Sequence, residues 1–270
     1  MLLSHPYEDS VLLLITGQGR SGTTVMTKAI AEHPQVASNR VESNVIHDLI
    51  SVAMQQLTNP SRTKQMLVQP NEFRRIFRQM ILHLQFPIGH SVLPHTPRPA
   101  FFSTFSAMTP SIAELATEIF PGIRFVNIVR NGIEVVSSRM RHRVMQAYSF
   151  EEQCYAWEAA RQMIDWGANR ADFVLVRHEW LLDDAECRRA FETICRVCGL
   201  EPSPVCADYV HHTHRNQTSF DEEPDSHKKC LNQRSARWRY WTDAQRQTFI
   251  DICGPNMQYL GYEIPWASST

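Results

Sequence analysis

No apolar run in the 270-residue chain approaches the roughly 18 residues that a spanning helix requires, so a transmembrane segment is not expected. The opening stretch MLLSHPYEDS has no basic region followed by a long apolar one. A secretory signal is therefore not expected either, and the location the sequence suggests is cytoplasmic. Neither sign of charge is in excess, with 27 Lys and Arg against 28 Asp and Glu. Bulk attraction to nucleic acid or to an anionic membrane is not expected, and any cationic site has to be local. Internal repeats and low-complexity tracts are also missing, and the length suits a single domain over 1–270 around one large core.

A disulfide framework is missing as well. Seven cysteines are present, an odd number, and most lie in apolar, helix-like stretches, which reads as a reducing compartment with buried thiols. Cys195 and Cys198 form one C-x-x-C, but no second pair stands at zinc-site spacing. The surrounding ECRRAFETICRVCGL has a helical pattern, so packing is the expected role of these thiols.

Three short apolar runs, VLLLI (11–15), FVNIV (125–129) and FVLV (173–176), have the length and residue types of strands covered on both faces, as in a parallel sheet. Helical patterns separate them. Val25, Met26, Ala29 and Ile30 recur at helical spacing, and the His33-Pro34 step ends that helix. Ser149 and Glu152 form a capping box ahead of a helix in which Phe150, Cys154, Trp157 and Ile164 share a face. Thr242 and Gln245 open another helix to about residue 259, with Gly261 as its stop. The segments 87–99 and 201–233 read as irregular. This alternation predicts an α/β fold, a P-loop-type doubly wound parallel sheet flanked by helices with helical and loop insertions, whose ligand site lies beyond the carboxyl ends of the strands.

One further absence bears on chemistry. VLLLITGQGRSGTT, residues 11–24, has the Gly17-to-Gly22 spacing of the nucleotide-binding pattern G-x-x-x-x-G-K-[ST], yet Thr23 stands where the lysine belongs. A glycine loop between a buried strand and a helix still points backbone N–H groups at an anion, aided by the helix dipole. Gly19, Ser21, Gly22, Thr23 and Thr24 build that cradle, and Arg20 supplies a charged fork from inside it. The competing reading is a plain helix cap.

The stretch FPGIRFVNIVRNGIEVVSSRMRHR, residues 120–143, repeats the strand-then-helix layout, with Arg130 at the strand end and Ser138 eight residues on. An arginine and a hydroxyl there suit a second phosphate; a surface arginine paired with a carboxylate is the alternative. Taken together, the two stretches resemble the sulfotransferases that use 3′-phosphoadenosine-5′-phosphosulfate (PAPS), in particular the bacterial carbohydrate-type and tyrosylprotein branches. The family carries [KR]-S-G-T-T for the 5′-phosphosulfate, matched by Arg20 to Thr24, and a strand-end arginine followed by a serine for the 3′-phosphate, matched by Arg130 and Ser138. The similarity runs from about residue 11 to 262, through AEHPQV, FVLVRHEWLL and RWRYWTDAQRQTFIDICGPNMQYLGY.

The resemblance implies transfer of a sulfuryl group to a hydroxyl or amine, release of 3′,5′-ADP, and no metal. It assigns Arg20 to charge stabilisation and places the catalytic base at Glu42, which by its neighbours alone suits equally a cap or a partner of Arg40; His47 is the competing base. It also draws His142 toward the 3′-phosphate, with Arg141 and Arg143 as alternatives, and Arg234, Arg237 and Trp238 toward closure over the nucleotide. Loop histidines His90 and His95 are expected to be solvated rather than catalytic, and the cluster His211, His212 and His214 is not expected to hold a metal, having no carboxylate or cysteine partners at a defined spacing. Three positions depart from the family pattern: Ile133 in place of a second arginine, Met108 in place of a lysine, and His178 in place of a tyrosine. Small molecules, carbohydrates, lipids and peptides all remain open as acceptors. Two other functions stay in view: a nucleotide-binding regulatory or scaffold protein on a degenerate sulfotransferase fold, and a P-loop kinase of a small metabolite, disfavoured by the absent lysine.

Overall fold

The computed structural model describes residues 5, 8, 10–38, 45–64, 68–85, 100–103, 108–213 and 237–267. Strand β1 (Leu12–Gly17) leads into α1 (Thr23–Ala31), and α2 (Val45–Leu57), α3 (Pro60–Lys64) and α4 (Pro70–Gln85) precede β2 (Ala100–Ser103). There follow α5 (Pro110–Ile119), β3 (Arg124–Val129), α6 (Gly132–Arg139), a 3-10 turn (Met145–Ala147), α7 (Phe150–Glu158), α8 (Ala160–Gly167) and β4 (Phe173–Arg177). The chain then makes a 3-10 turn (His178–Leu182), α9 (Asp184–Cys198), α10 (Val205–Thr213), a further 3-10 turn (Arg237–Tyr240) and α11 (Asp243–Tyr259).

The strands pair in parallel in the order β2-β1-β3-β4. From β1 the chain passes to β2 on one side and then returns to β3 on the other. The carboxyl ends of β1 and β3, where Gly17 lies opposite Ile128, thus form the switch point at which open α/β sheets bind their ligands.

Strand alternation explains the two covered faces. Leu13, Ile15, Val126, Ile128, Val174 and Val176 meet apolar side chains of α1, α9 and α10. Leu12, Leu14 and Phe125 turn the other way onto α2, α4 and α5. A third cluster gathers Val129 and Ile133 with Trp157, Trp241 and Phe249, holding α6, α7 and α11 together. Each fully buried aliphatic or aromatic side chain contributes about 1.5–3 kcal/mol relative to exposure.

The expected helix starts and stops are present. Ser149 with Glu152 and Thr242 with Gln245 form complete capping boxes, and Gly261 follows α11 in the left-handed region at φ 68°. Three features differ from expectation, the first being that α10 (Val205–Thr213) forms within the 201–233 stretch read as irregular. The helix expected after Ser149 is divided at Ala159 into α7 and α8, although Phe150, Cys154, Trp157 and Ile164 all reach the same cluster. The edge strand β2 was not expected. It directly follows a proline-rich run, and its four residues gain strand structure only by pairing with β1.

The six described cysteines are free and buried, and burial pushes the Cys198 thiol up to about 12, a packed and protonated state. Among the described residues no helix is long and apolar enough to cross a membrane.

Candidate functional site

The loop after β1 has a backbone that few side chains tolerate. Arg20 is in the left-handed region at φ 79°, the one non-glycine with positive φ among the described residues. Such conformations are uncommon and persist where the surroundings enforce them. Gly22 follows at φ 104° and is the N-cap of α1. Glycine has no side chain to close the first turn, so the plain-cap reading lacks its capping group at that position. Ser21 and Thr23 are buried, and Thr24 is exposed; the Ser21 N–H donates back to the Gln18 carbonyl at 3.0 Å. Gly22 is also pinned from below, since a Cβ there would lie 2.5 Å from His178 Cδ2 and 3.3 Å from Ile128 Cδ1. The residue at the family's tyrosine position is thus a buried imidazole packed under the anion loop.

The second stretch meets the first directly. Arg130 Nη1 donates to the Arg20 carbonyl at 3.2 Å, and Arg20 Nε donates to Ser138 Oγ at 3.0 Å. Arg130 also pairs with Glu134, through Nε at 2.8 Å and through Nη2. Arg130 is therefore paired with a carboxylate, as its alternative reading has it, while its guanidinium also touches the loop.

The peptide after Arg130 is anchored on both edges. Trp157 Nε1 donates to the Arg130 carbonyl at 3.0 Å, and the Asn131 N–H donates to Glu179 Oε1 at 2.8 Å. Glu179 is itself held by the Tyr262 hydroxyl at 2.9 Å. Burial, reinforced by that carboxylate, raises the Tyr262 pKa and keeps the phenol a donor.

Packing accounts for the Asn131-Gly132-Ile133 run after Arg130. A Cβ on Gly132 would lie 2.9 Å from the Trp157 indole, so only glycine fits there, and Asn131 caps α6 by accepting from the Ile133 N–H at 2.9 Å. Ile133 is a core residue. Met108, at the lysine position, is buried with its N–H on Thr16 Oγ1 at 3.4 Å.

Of the other residues singled out from the sequence, His142 lies half-buried just past α6, its N–H on the Arg139 carbonyl at 3.0 Å. Arg237 belongs to the 3-10 turn that packs against α6. Trp238 is taken up by the aromatic cluster, 4.9 Å from Trp266 between ring centroids. His47 faces Asp48 at 3.3 Å, and His211 faces Asp184 at 3.1 Å. Glu42, Arg40, Arg234, His90, His95 and His214 lie outside the described residues. Among the described residues no group of three or more His, Cys, Asp or Glu could hold a metal ion.

Three residues at this site were not singled out from the sequence: Glu134, Glu179 and Tyr262. Glu134 had a signal, standing four residues after Arg130 on a helix, the spacing of an ion pair. Glu179 and Tyr262 had none that separates them from their neighbours.

A glycine loop and a strand-end arginine thus meet at the switch point of a parallel α/β sheet. The sequence profile of the sulfotransferase family matches residues 13–204, and this chain belongs to that family. Its fold is shared with the sulfotransferase domain from the Synechococcus PCC 7002 olefin synthase, at 16% identity over 98% of this chain and 99% of that one, TM-score 0.56. The sulfotransferase domain from the curacin biosynthetic pathway is similar at 12% identity, over 95% and 99% of the two chains, TM-score 0.54. Mouse sulfotransferase SULT7A1 complexed with PAP is similar at 9% identity, over 94% and 86%, TM-score 0.51. No curated protein matches the chain by sequence.

Proposed function

We propose that the chain is a single-domain, PAPS-dependent sulfotransferase that moves a sulfuryl group to a hydroxyl or amine and releases 3′,5′-ADP. The observation that carries this reading is the contact between the two anion stretches, with the Arg130 guanidinium on the Arg20 carbonyl at 3.2 Å. A nucleotide with phosphate on both the 5′ and 3′ positions needs two anion sites that close together. The donor set fits it: loop N–H groups, hydroxyls and guanidinium groups suit phosphate and sulfate oxygens.

In this reading the donor supplies an activated sulfuryl group whose S–O bond to the phosphate breaks as the acceptor oxygen or nitrogen bonds to sulfur. The loop N–H groups and Arg20 stabilise the charge that develops on the leaving oxygen. Arg130 and Ser138 hold the 3′-phosphate, with Gly19, Ser21, Gly22, Thr23 and Thr24 on the 5′ side and His142, Arg234 and Arg237 as further ligands. Glu42 takes the acceptor's proton.

Two variants test these roles. Arg130→Ala is expected to weaken 3′,5′-ADP by at least about tenfold while leaving 5′-AMP within about twofold, read by calorimetry; equal losses would remove Arg130 from the 3′-phosphate. Glu42→Gln is expected to retain donor binding with turnover down at least about tenfold. Unchanged turnover would pass the base to a histidine such as His47.

A second reading draws on Met108, buried where the family carries a lysine: a nucleotide-binding regulatory or scaffold protein. Tight 3′,5′-ADP binding with no transfer to a broad panel of small-molecule, carbohydrate, lipid and peptide acceptors would favour it.

A further inference from the structure

Three residues of α6 and its N-terminal flank converge on the Gly19–Arg20 dipeptide. Arg130 precedes the helix, Ser138 lies in its last turn, and Arg139 ends it. The eight residues of α6 span about 12 Å, so α6 lies lengthwise along the loop. Arg130 and Ser138 contact Arg20, as described above. A Cβ built on Gly19 would lie 2.8 Å from the Met145 methyl and 3.5 Å from Arg139 Nη1, which places that guanidinium beside the loop, next to Met145.

The partners of the two arginines differ in charge. Arg130 is paired with the Glu134 carboxylate. Arg139 Nε instead donates to Gln153 Oε1 at 2.5 Å, and among the described residues no carboxylate pairs with it. Gln153 is fully buried and donates through Nε2 to the Met145 carbonyl, so a neutral amide fixes the guanidinium's direction and leaves its charge whole. A half-buried cation without a carboxylate is costly, and burial lowers the Arg139 pKa. The carboxyl end of α6 favours a cation there, but a helix end carries only about half a charge.

We propose that Arg139 is a further donor-binding residue, its guanidinium meeting a 5′-phosphosulfate oxygen at Gly19 and supplying the charge missing at Met108 and Ile133. The proposal rests on the PAPS reading given above.

Calorimetry with 3′-AMP, 5′-AMP and 3′,5′-ADP tests it. Arg139→Gln is expected to weaken 5′-AMP and 3′,5′-ADP by about tenfold each and to leave 3′-AMP within about twofold, with Arg139→Lys restoring most of the loss. That pattern is the inverse of the one expected for Arg130→Ala, and a merely structural role would weaken all three ligands alike. Gln153→Glu, which sets a carboxylate against Arg139 without removing it, is expected to give the same pattern and carries the test should Arg139→Gln not fold. Unchanged 5′-AMP affinity, or equal loss of all three nucleotides, would overturn the proposal. If wild-type protein gains nothing from a 3′-phosphate, the PAPS reading fails by itself; the role of Arg139 then stands or falls on 5′-AMP alone.

Discussion

Arg20→Ala is expected to lower sulfuryl transfer by about 10²- to 10³-fold, the usual cost of removing one preorganised donor from developing negative charge. Affinity for 3′,5′-ADP should fall far less, because the loop N–H groups and Arg130 remain. The backbone makes this variant informative. Arg20 sits in the left-handed region at φ 79°, where an arginine is held at a cost of about 1–2 kcal/mol that glycine does not bear. Arg20→Gly should therefore match alanine in lost turnover while melting at a higher temperature than the alanine variant. Single-turnover transfer and calorimetric melting check the two halves. Unchanged turnover in both variants would move charge stabilisation elsewhere on the loop.

The second large effect is expected at Gly22, on stability and activity together. Alanine there must adopt φ 104° and place its methyl 2.5 Å from the buried His178 ring. Overpacking costs about 1–3 kcal/mol, and the unfavourable φ adds about 1 kcal/mol. At about 2–4 °C per kcal/mol for a chain of this size, Gly22→Ala should melt several degrees lower and lose most donor binding, since the loop N–H groups move with the backbone. Gly199→Ala is an internal control. Gly199 also has positive φ, 68°, but its Cβ would meet nothing within 4 Å. The difference between the two melting temperatures isolates the His178 contact; equal shifts would mean that His178 moves aside freely.

The backbone frame of the site was legible from residues 11–24 and 125–138, since buried strands, a glycine loop and a strand-end arginine each have a local signature. VLLLI, FVNIV and FVLV all became strands because both faces of each are apolar, a pattern that tertiary contacts only reinforce. What the chain does with its polar side chains was far less legible. RMRHR offers three arginines that look alike in sequence, and only the angle at which α6 lies along the loop turns Arg139 toward Gly19 and leaves Arg141 and Arg143 exposed. Glu179 reaches Asn131 and Tyr262 across 48 and 83 residues of chain, separations that no local pattern reports. Gly132 carried no signal of its own, and the Trp157 indole against it supplies the reason for a glycine there.

The sheet order has a consequence for how the chain acquires its activity. Leu13 to Gly17 register against Arg124 to Ile128, so the first half of the cleft waits for a partner more than a hundred residues downstream. Closing so long a loop is entropically costly before any contact rewards it. A growing polypeptide ending before residue 130 has the glycine loop but no opposing wall, and nucleotide affinity should appear only once the third strand has docked. A fluorescent 3′,5′-ADP analogue added during refolding would therefore report completion of the native sheet rather than early collapse.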